Sequence, residues 1–290
     1  MTFPVLVQLL INGVLLGGVY TLAAFGLALI FGVSGVLNLA HGEFLMLAGF
    51  LVFIWNEHFG VNPFLLAAAV APLFFLVGYA FEQALIRPLA ARKEHVRMAS
   101  ATLVTLGAAL MIEDLAALAS ANAEFEKSVG YFIPSLHVGQ VVLPSLKLVV
   151  FALVLVLMGG LVLFLKFTYT GLAVQAVTQN RRGAQLSGVN TSHINATAFG
   201  LGTLLAAAAG ALEVIHSSVS PLIGLPLTLK YLCIIVMGGL GSFAGVALGG
   251  MIIGISESFV GFFTPAWGQT VAYLLLVLVL LVRPKGLLGK

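Results

Sequence analysis

Three stretches of this chain hold no Asp, Glu, Lys or Arg: from Met1 up to Glu43, from Phe59 to Phe81, and from Tyr231 to Ser256. Each is long enough for the ~20 mostly apolar residues that cross a bilayer. A backbone in hydrocarbon must satisfy its own N–H and C=O groups, which leaves helices or closed barrels. Long apolar runs, rather than short alternating ones, select helices. Over 290 residues, 61% are hydrophobic and 8% charged, against ~25% charged in soluble domains. The mean hydropathy is +1.14. Too few charges remain to coat a watery surface, which excludes a soluble enzyme or a nucleic-acid binder. The fold class is therefore an all-α polytopic membrane protein, a single transmembrane domain over 1–290. The pI near 9.1 reflects a net charge of only +3, a surplus ordinary for cytoplasmic loops. The opening MTFPVLVQLLINGVLL lacks a basic n-region and a clear small-residue cleavage site, so it reads as a retained first span. The lone Cys233 allows no intrachain disulfide.

Hydropathy predicts spans at 5–31, 36–55, 62–86, 98–119, 147–166, 196–216, 245–262 and 266–282, with a shorter apolar piece at 228–237. Ten of the thirteen basic residues fall in three places: Arg87, Arg92, Lys93 and Arg97; Lys166, Arg181 and Arg182; Arg283, Lys285 and Lys290. The positive-inside rule puts all three in the cytoplasm, the C-terminus included. The loop 120–146 then falls on the opposite, periplasmic face. Parity demands an even number of crossings between 216 and 266. The break Gly238-Gly239-Leu240-Gly241 divides that stretch, and the piece before it is short for a span. Either it re-enters, or two short tilted helices cross. A similar break, Gly32-Val33-Ser34-Gly35, sits beside Asn38-Leu39-Ala40-His41-Gly42-Glu43. Paired Gly-broken segments in two halves suggest an inverted repeat around a transport path.

The loop 167–195 has an amphipathic pattern. Leu172, Ala176, Ala184 and Leu186 alternate with Gln175, Gln179, Asn180, Arg181 and Arg182. One short helix closed by Gly188 accounts for it, with Asn190 or Thr191 starting the next span. It is a solvated connector or a docking helix for a cytoplasmic partner. Gly241, Gly245 and Gly249, with Gly250 and Gly254, suit close helix packing within the bundle better than a dimer face. Glu43 should avoid lipid. Glu82, near Arg87, and Glu113, Asp114, Glu213 and His216, near span ends, read as interfacial, whereas Glu257 is deep enough for a buried hydrogen bond. No phosphate loop GxxxxGK[ST], no metal-ligand spacing among six histidines, no nucleophile–His–carboxylate set and no channel filter occurs. The chain is a conduit with no catalytic or metal residues to name.

Residues 26–50, GLALIFGVSGVLNLAHGEFLMLAGF, closely resemble the LivH-type inner-membrane permeases of bacterial ATP-binding-cassette importers for branched-chain amino acids. The likeness extends over Asn12-Gly13, Gly17 and Tyr20, Arg87-Pro88-Leu89, the Gly171–Asn190 loop, Gly238-Gly239-Leu240-Gly241-Ser242 and Arg283-Pro284-Lys285-Gly286-Leu287-Leu288-Gly289. It implies a second, longer permease of the same fold, two ATPase subunits that bind ATP and Mg, and a periplasmic binding protein. It makes Gly171, Leu172, Ala176, Asn180, Arg181, Arg182, Ala184, Gly188 and Asn190 an ATPase-coupling segment. Gln175 stands where the family commonly has arginine, and Arg181-Arg182 where acidic or small residues are usual. Candidate pathway residues are Asn12, Asn38, His41, Gly42, Glu43, Gly238, Gly239, Gly241, Ser242 and Glu257. Importers of urea, short amides or other amino or organic acids remain alternatives within the class. An autonomous ion-coupled transporter, with Glu43 or Glu257 as ion sites, is the alternative outside it.

Overall fold

A computed structural model describes residues 2–119 and 126–289. Glu124 and Lys290 lie outside them, as does the start of the expected loop 120–146. The chain forms α1 (Phe3–Ser34), α2 (His41–Phe59), α3 (Pro63–Phe81), which continues through a wider π turn and a tighter 3-10 turn to Ala91, and α4 (Glu94–Ala119). A small hairpin, β1 (Leu136–Val138) and β2 (Val141–Leu143), leads into α5 (Ser145–Phe167). Then come α6 (Tyr169–Gln179), α7 (Arg181–Leu186), α8 (Thr191–His216), α9 (Gly224–Gly238), α10 (Phe243–Phe263), α11 (Pro265–Gly268) and α12 (Val271–Val282). Among the described residues, six helices are long and apolar enough to cross a membrane. With α2 and α12, the described helices match the expected spans.

One end of the bundle carries the tail 283–289, where Leu287 and Leu288 N–H donate to the carbonyls of Met237 and Gly238. The other carries residues 126–143, where Lys127 and Val219 exchange backbone bonds. α1 runs from the loop end to the tail end and stops at Gly35, whose φ of +66° places it in the left-handed region. Gly32 does not break it. The following residues double back, because His41 Nε2 lies 2.9 Å from the carbonyl of Ala23. From Ala23 to Ser34 α1 rises about 16 Å, at 1.5 Å per residue. Residues 35–40 are thus non-helical backbone at depth, which only protein or trapped water can satisfy. Thr105 of α4 does so: its hydroxyl accepts from Leu39 N–H at 3.1 Å and donates to Leu37 O at 3.2 Å. Asn38 Oδ1 takes the Ala40 N–H.

The second half repeats this path upside down. α8 leaves the tail end, residues 217–223 fold back at the loop end, and α9 begins at depth against Gly42 and Glu43 of α2. The α2–α3 turn, closed by Gly60 and capped by Asn62, matches the α9–α10 turn, closed by Gly239 and capped by Ser242. α1 packs most extensively on α10, and α8 on α3, as an inverted relation requires. The expected inverted repeat is present, with one correction. The counterpart of the 35–43 break is 217–228, whereas Gly238–Gly241 is a tight turn at the tail end. That glycine run was paired with 32–43 because both are glycine-rich. Gly239 and Gly241 serve the turn through positive φ values of 104° and 87°.

Gly250 and Gly254 pack inside the bundle as expected. A Cβ on Gly254 would meet the backbone of Gly17, whereas one on Gly261 of the same helix would meet nothing within 4 Å. Gly254→Ala is therefore expected to destabilise the purified chain by about 1–3 kcal/mol. Gly261→Ala should leave the thermal midpoint in detergent unchanged or raised.

Candidate functional site

The N-termini of α2 and α9 meet at mid-bundle. Gly42 N–H donates to Thr228 Oγ1 at 2.7 Å, and that hydroxyl donates to the Gly224 carbonyl at 3.1 Å. Neither glycine has room for a side chain: a Cβ on Gly42 would meet the Gly224 carbonyl, and one on Gly224 the Glu43 carboxyl. Asn38, His41 and Glu43 are each fully buried here. Asn38 Nδ2 and His41 Nδ1 have no hydrogen-bond partner among the described residues. Glu43 lies in the first turn of α2 and against the start of α9, where two sets of orphan N–H groups and two helix dipoles favour an acceptor. The expectation that Glu43 avoids lipid is met.

Glu257 has a partner that the sequence reading missed. Lys230 Nζ on α9 lies 3.1 and 3.0 Å from the two Glu257 oxygens and 3.1 Å from Tyr20 Oη. The ammonium also sits 4.6 Å from the centre of the Tyr20 ring, a cation–π contact. The pair is buried, with side-chain exposures of 6% and 14%. The signal was available: Lys230 and Glu257 flank an otherwise uncharged stretch, and charges at depth pair with one another. This pair forms the floor of a cavity of about 420 Å³ opening toward the loop end, walled by Leu16, Tyr20, Glu213, Ile223, Leu227 and Tyr231. Tyr231 stands between this cavity and the crossing, its ring edge-on to both Tyr20 and His41 at 6.3 Å.

The remaining candidates lie elsewhere. Gly239 packs on the tail, whereas Gly238 packs on Gly245 of α10. Gly241 and Ser242 line a separate groove of about 590 Å³ with Gly32, Lys166, Gln175 and Thr178. Asn12 is half-buried in the loop-end half of α1, apart from both. The ten candidate pathway residues thus do not form one site. Glu82, read as interfacial, is buried in the π turn after α3.

Residues 169–190 are two helices, not one. Asn180 ends α6 and caps α7, its side chain accepting from Gly183 N–H at 2.9 Å. Such a side chain favours starting a new helix over continuing an old one. Asn190 then caps α8 by accepting from His193 N–H, as expected. Gly171, Ala173, Val174, Val177 and Ala184 are buried, whereas Leu172, Ala176, Arg182, Gly188 and Asn190 are exposed and Arg181 is half-buried. The apolar face is therefore split: Ala184 holds the segment down, while Leu172 and Leu186 point outward. Gln175 donates to the Leu165 carbonyl at 2.8 Å and ties α6 to α5.

Residues 9–280 match the family described as branched-chain amino acid transport system / permease component. The chain belongs to that family. This permease is 30% identical to the high-affinity branched-chain amino acid transport system permease protein BraD of Pseudomonas aeruginosa, over 98% of its own length and 95% of that protein's. It is 28% identical to LivH of Escherichia coli, over 99% and 97%, and 26% identical to the probable LivH of Methanocaldococcus jannaschii, over 97% and 92%. A chain of PsaBC from Streptococcus pneumoniae in complex with Fab covers 94% of it at 12% identity and a TM-score of 0.49, too remote to carry weight.

Removing Lys230 alone strands a buried carboxylate, whereas removing both charges does not. Lys230→Met is expected to lower unfolding stability in detergent by about 3–5 kcal/mol. Lys230→Met/Glu257→Met should recover most of that loss. Equal thermal midpoints for the single and double variants would show the pair to be energetically uncoupled.

Proposed function

We propose that this permease is the translocation subunit of an ATP-binding-cassette importer of the bacterial inner membrane, carrying branched-chain amino acids inward by alternating access. The tail end is the cytoplasmic end: Arg87, Arg92, Lys93, Arg97, Lys166, Arg181, Arg182, Arg283 and Lys285 gather there, in the sense of the positive-inside rule. The loop end, with 126–143, faces the periplasm and a binding protein that delivers substrate. ATP and Mg are bound by two separate ATPase subunits, since no phosphate loop occurs in this chain. A second, longer permease of the same fold completes the conduit.

The observation that carries this reading is the α6–α7 segment. It lies at the basic end, outside the spans, and exposes Leu186 at 85% and Tyr169 at 82%. Apolar side chains beside arginines in water suit a helix that seats in a partner's groove. The segment also touches the last turn of α1: Arg181 Nη1 lies 3.5 Å from the Val33 carbonyl, and the Thr178 side chain faces Gly32. Displacement of α6–α7 by the ATPases thus reaches the end of α1, just before the non-helical residues 35–40.

Gly188, at φ +84° between α7 and α8, tests the coupling. Proline fixes φ near −65°, so Gly188→Pro rotates the segment away while leaving every span intact. Membrane insertion should be normal, and uptake of labelled leucine by cells carrying the whole importer should fall at least about tenfold, a loss of some 1.4 kcal/mol or more. Normal uptake would remove the coupling role. Transport that persists without the ATPases would remove the importer reading.

A further inference from the structure

The cavity at the loop end lies within one chain, and nothing in the coupling role requires it. Its floor carries both signs of charge side by side, Lys230 and Glu257, with the Tyr20 hydroxyl on the ammonium. Glu213 adds a carboxylate to the wall, and Glu126 one at the mouth, where its Oε2 accepts from Ser218 at 2.7 Å. Leu16, Ile223, Pro226 and Leu227 supply an apolar side. A cavity with this charge balance repels anions. A lone cation gains the Glu213 carboxylate but makes no use of Lys230, which stays paired with Glu257. A zwitterion matches both charges, because its ammonium and carboxylate, joined through one carbon, set antiparallel to the Lys230–Glu257 dipole.

We propose that this cavity is a transit subsite for a zwitterionic α-amino acid with an aliphatic side chain. Glu257 and Glu213 take its ammonium, Lys230 its carboxylate, and Leu16, Ile223 and Leu227 its side chain. The proposal deepens the importer reading and rests on it. A buried ion pair pays much of its Coulombic attraction back in lost hydration, so partial exchange of each partner for an oppositely charged ligand group costs little. A ligand lacking either charge leaves one side of the pair without that exchange. Tyr231 closes the cavity toward the crossing of α2 and α9, so the subsite is the last station on the loop side before the partition.

Ser217 is exposed and lines the mouth, whereas the native cysteine, Cys233, is buried. The test is Ser217→Cys in a Cys233→Ala background, with the full chain in lipid nanodiscs, modified by a charged methanethiosulfonate reagent. L-Leucine at ten times its Kd is expected to slow modification about tenfold, as the free fraction falls by mass action. Neither 4-methylpentanoate, which lacks the ammonium, nor leucinol, which lacks the carboxylate, should protect at the same concentration. Protection by leucine should vanish with Lys230→Met/Glu257→Met, the variant expected to stay folded. Absent labelling without ligand, no protection by leucine, equal protection by either analogue, or protection that survives the double substitution would each overturn the subsite. Leucine uptake by the intact importer is measured in parallel: uptake without protection removes the subsite alone, and absence of uptake removes the importer reading.

Discussion

The structure depends on one constraint: unpaired backbone N–H and C=O groups in hydrocarbon cost several kcal/mol each. Two helices start inside the bundle and so expose orphan N–H groups at depth. α2 and α9 meet this cost on each other, with Gly42 donating to Thr228 and the Glu43 carboxyl laid over Gly224. The contact works only because both positions are glycine. Everything else follows the geometry of that crossing. α1 and α8 must run past it on either side, and they touch where Gly26 and Gly202 face each other's carbonyls. α10 and α3 then close on α1 and α8 through Gly254 against Gly17 and Gly78 against Thr203.

Much of this was legible in the sequence because it is local. Spans were visible as apolar runs, the basic end as three clusters, and the helix start at Asn190 as a short polar side chain before apolar periodicity. What escaped was set by contacts far apart in the chain. Thr105 serves a backbone 66 and 68 residues away, and no hydropathy profile distinguishes it from a threonine facing lipid. Glycine content pairs Gly238–Gly241 with the 32–43 break because composition marks where a chain bends, not at what depth, and nothing in composition marks the 217–223 return. Lys230 lies inside the short apolar piece 228–237, and its partner Glu257 is 27 residues away. The break within 169–190 was hidden for another reason: Asn180 is polar, as is its surface, and only its capping geometry reveals the boundary.

The two cavities lie on opposite sides of the crossing and do not share a wall. The loop-end cavity is floored by an ion pair that joins α9 to α10; the tail-end groove lies between α1, α5 and α6. In the proposed mechanism a substrate travelling between the two ends must pass Tyr231, which is packed on Tyr20 of α1 and on His41 of α2. No side-chain rotation opens that gap, because Tyr231 is 2% exposed and held edge-on from both sides. The helices themselves have to move.

α9 is the element built to move. At 15 residues it spans about 22 Å, short of the ~30 Å hydrocarbon core, and glycines lie at both of its ends. Its tail end is held by two backbone bonds from 287 and 288, and its start by the Gly42–Thr228 bond and by Glu43. Between them sits the Lys230–Glu257 pair. In the proposed mechanism an ATPase-driven push on α6–α7 arrives at Val33, at the end of α1, and would pass through residues 35–40 to α2. Shifting α2 moves His41 and Gly42, and hence Tyr231 and the start of α9, as one packed unit. Interfaces this close have discrete packings rather than a continuum. A shift at the coupling segment is therefore delivered to the partition as a switch between two arrangements. Substrate seated against Lys230 favours one of these by the difference in its contacts between them.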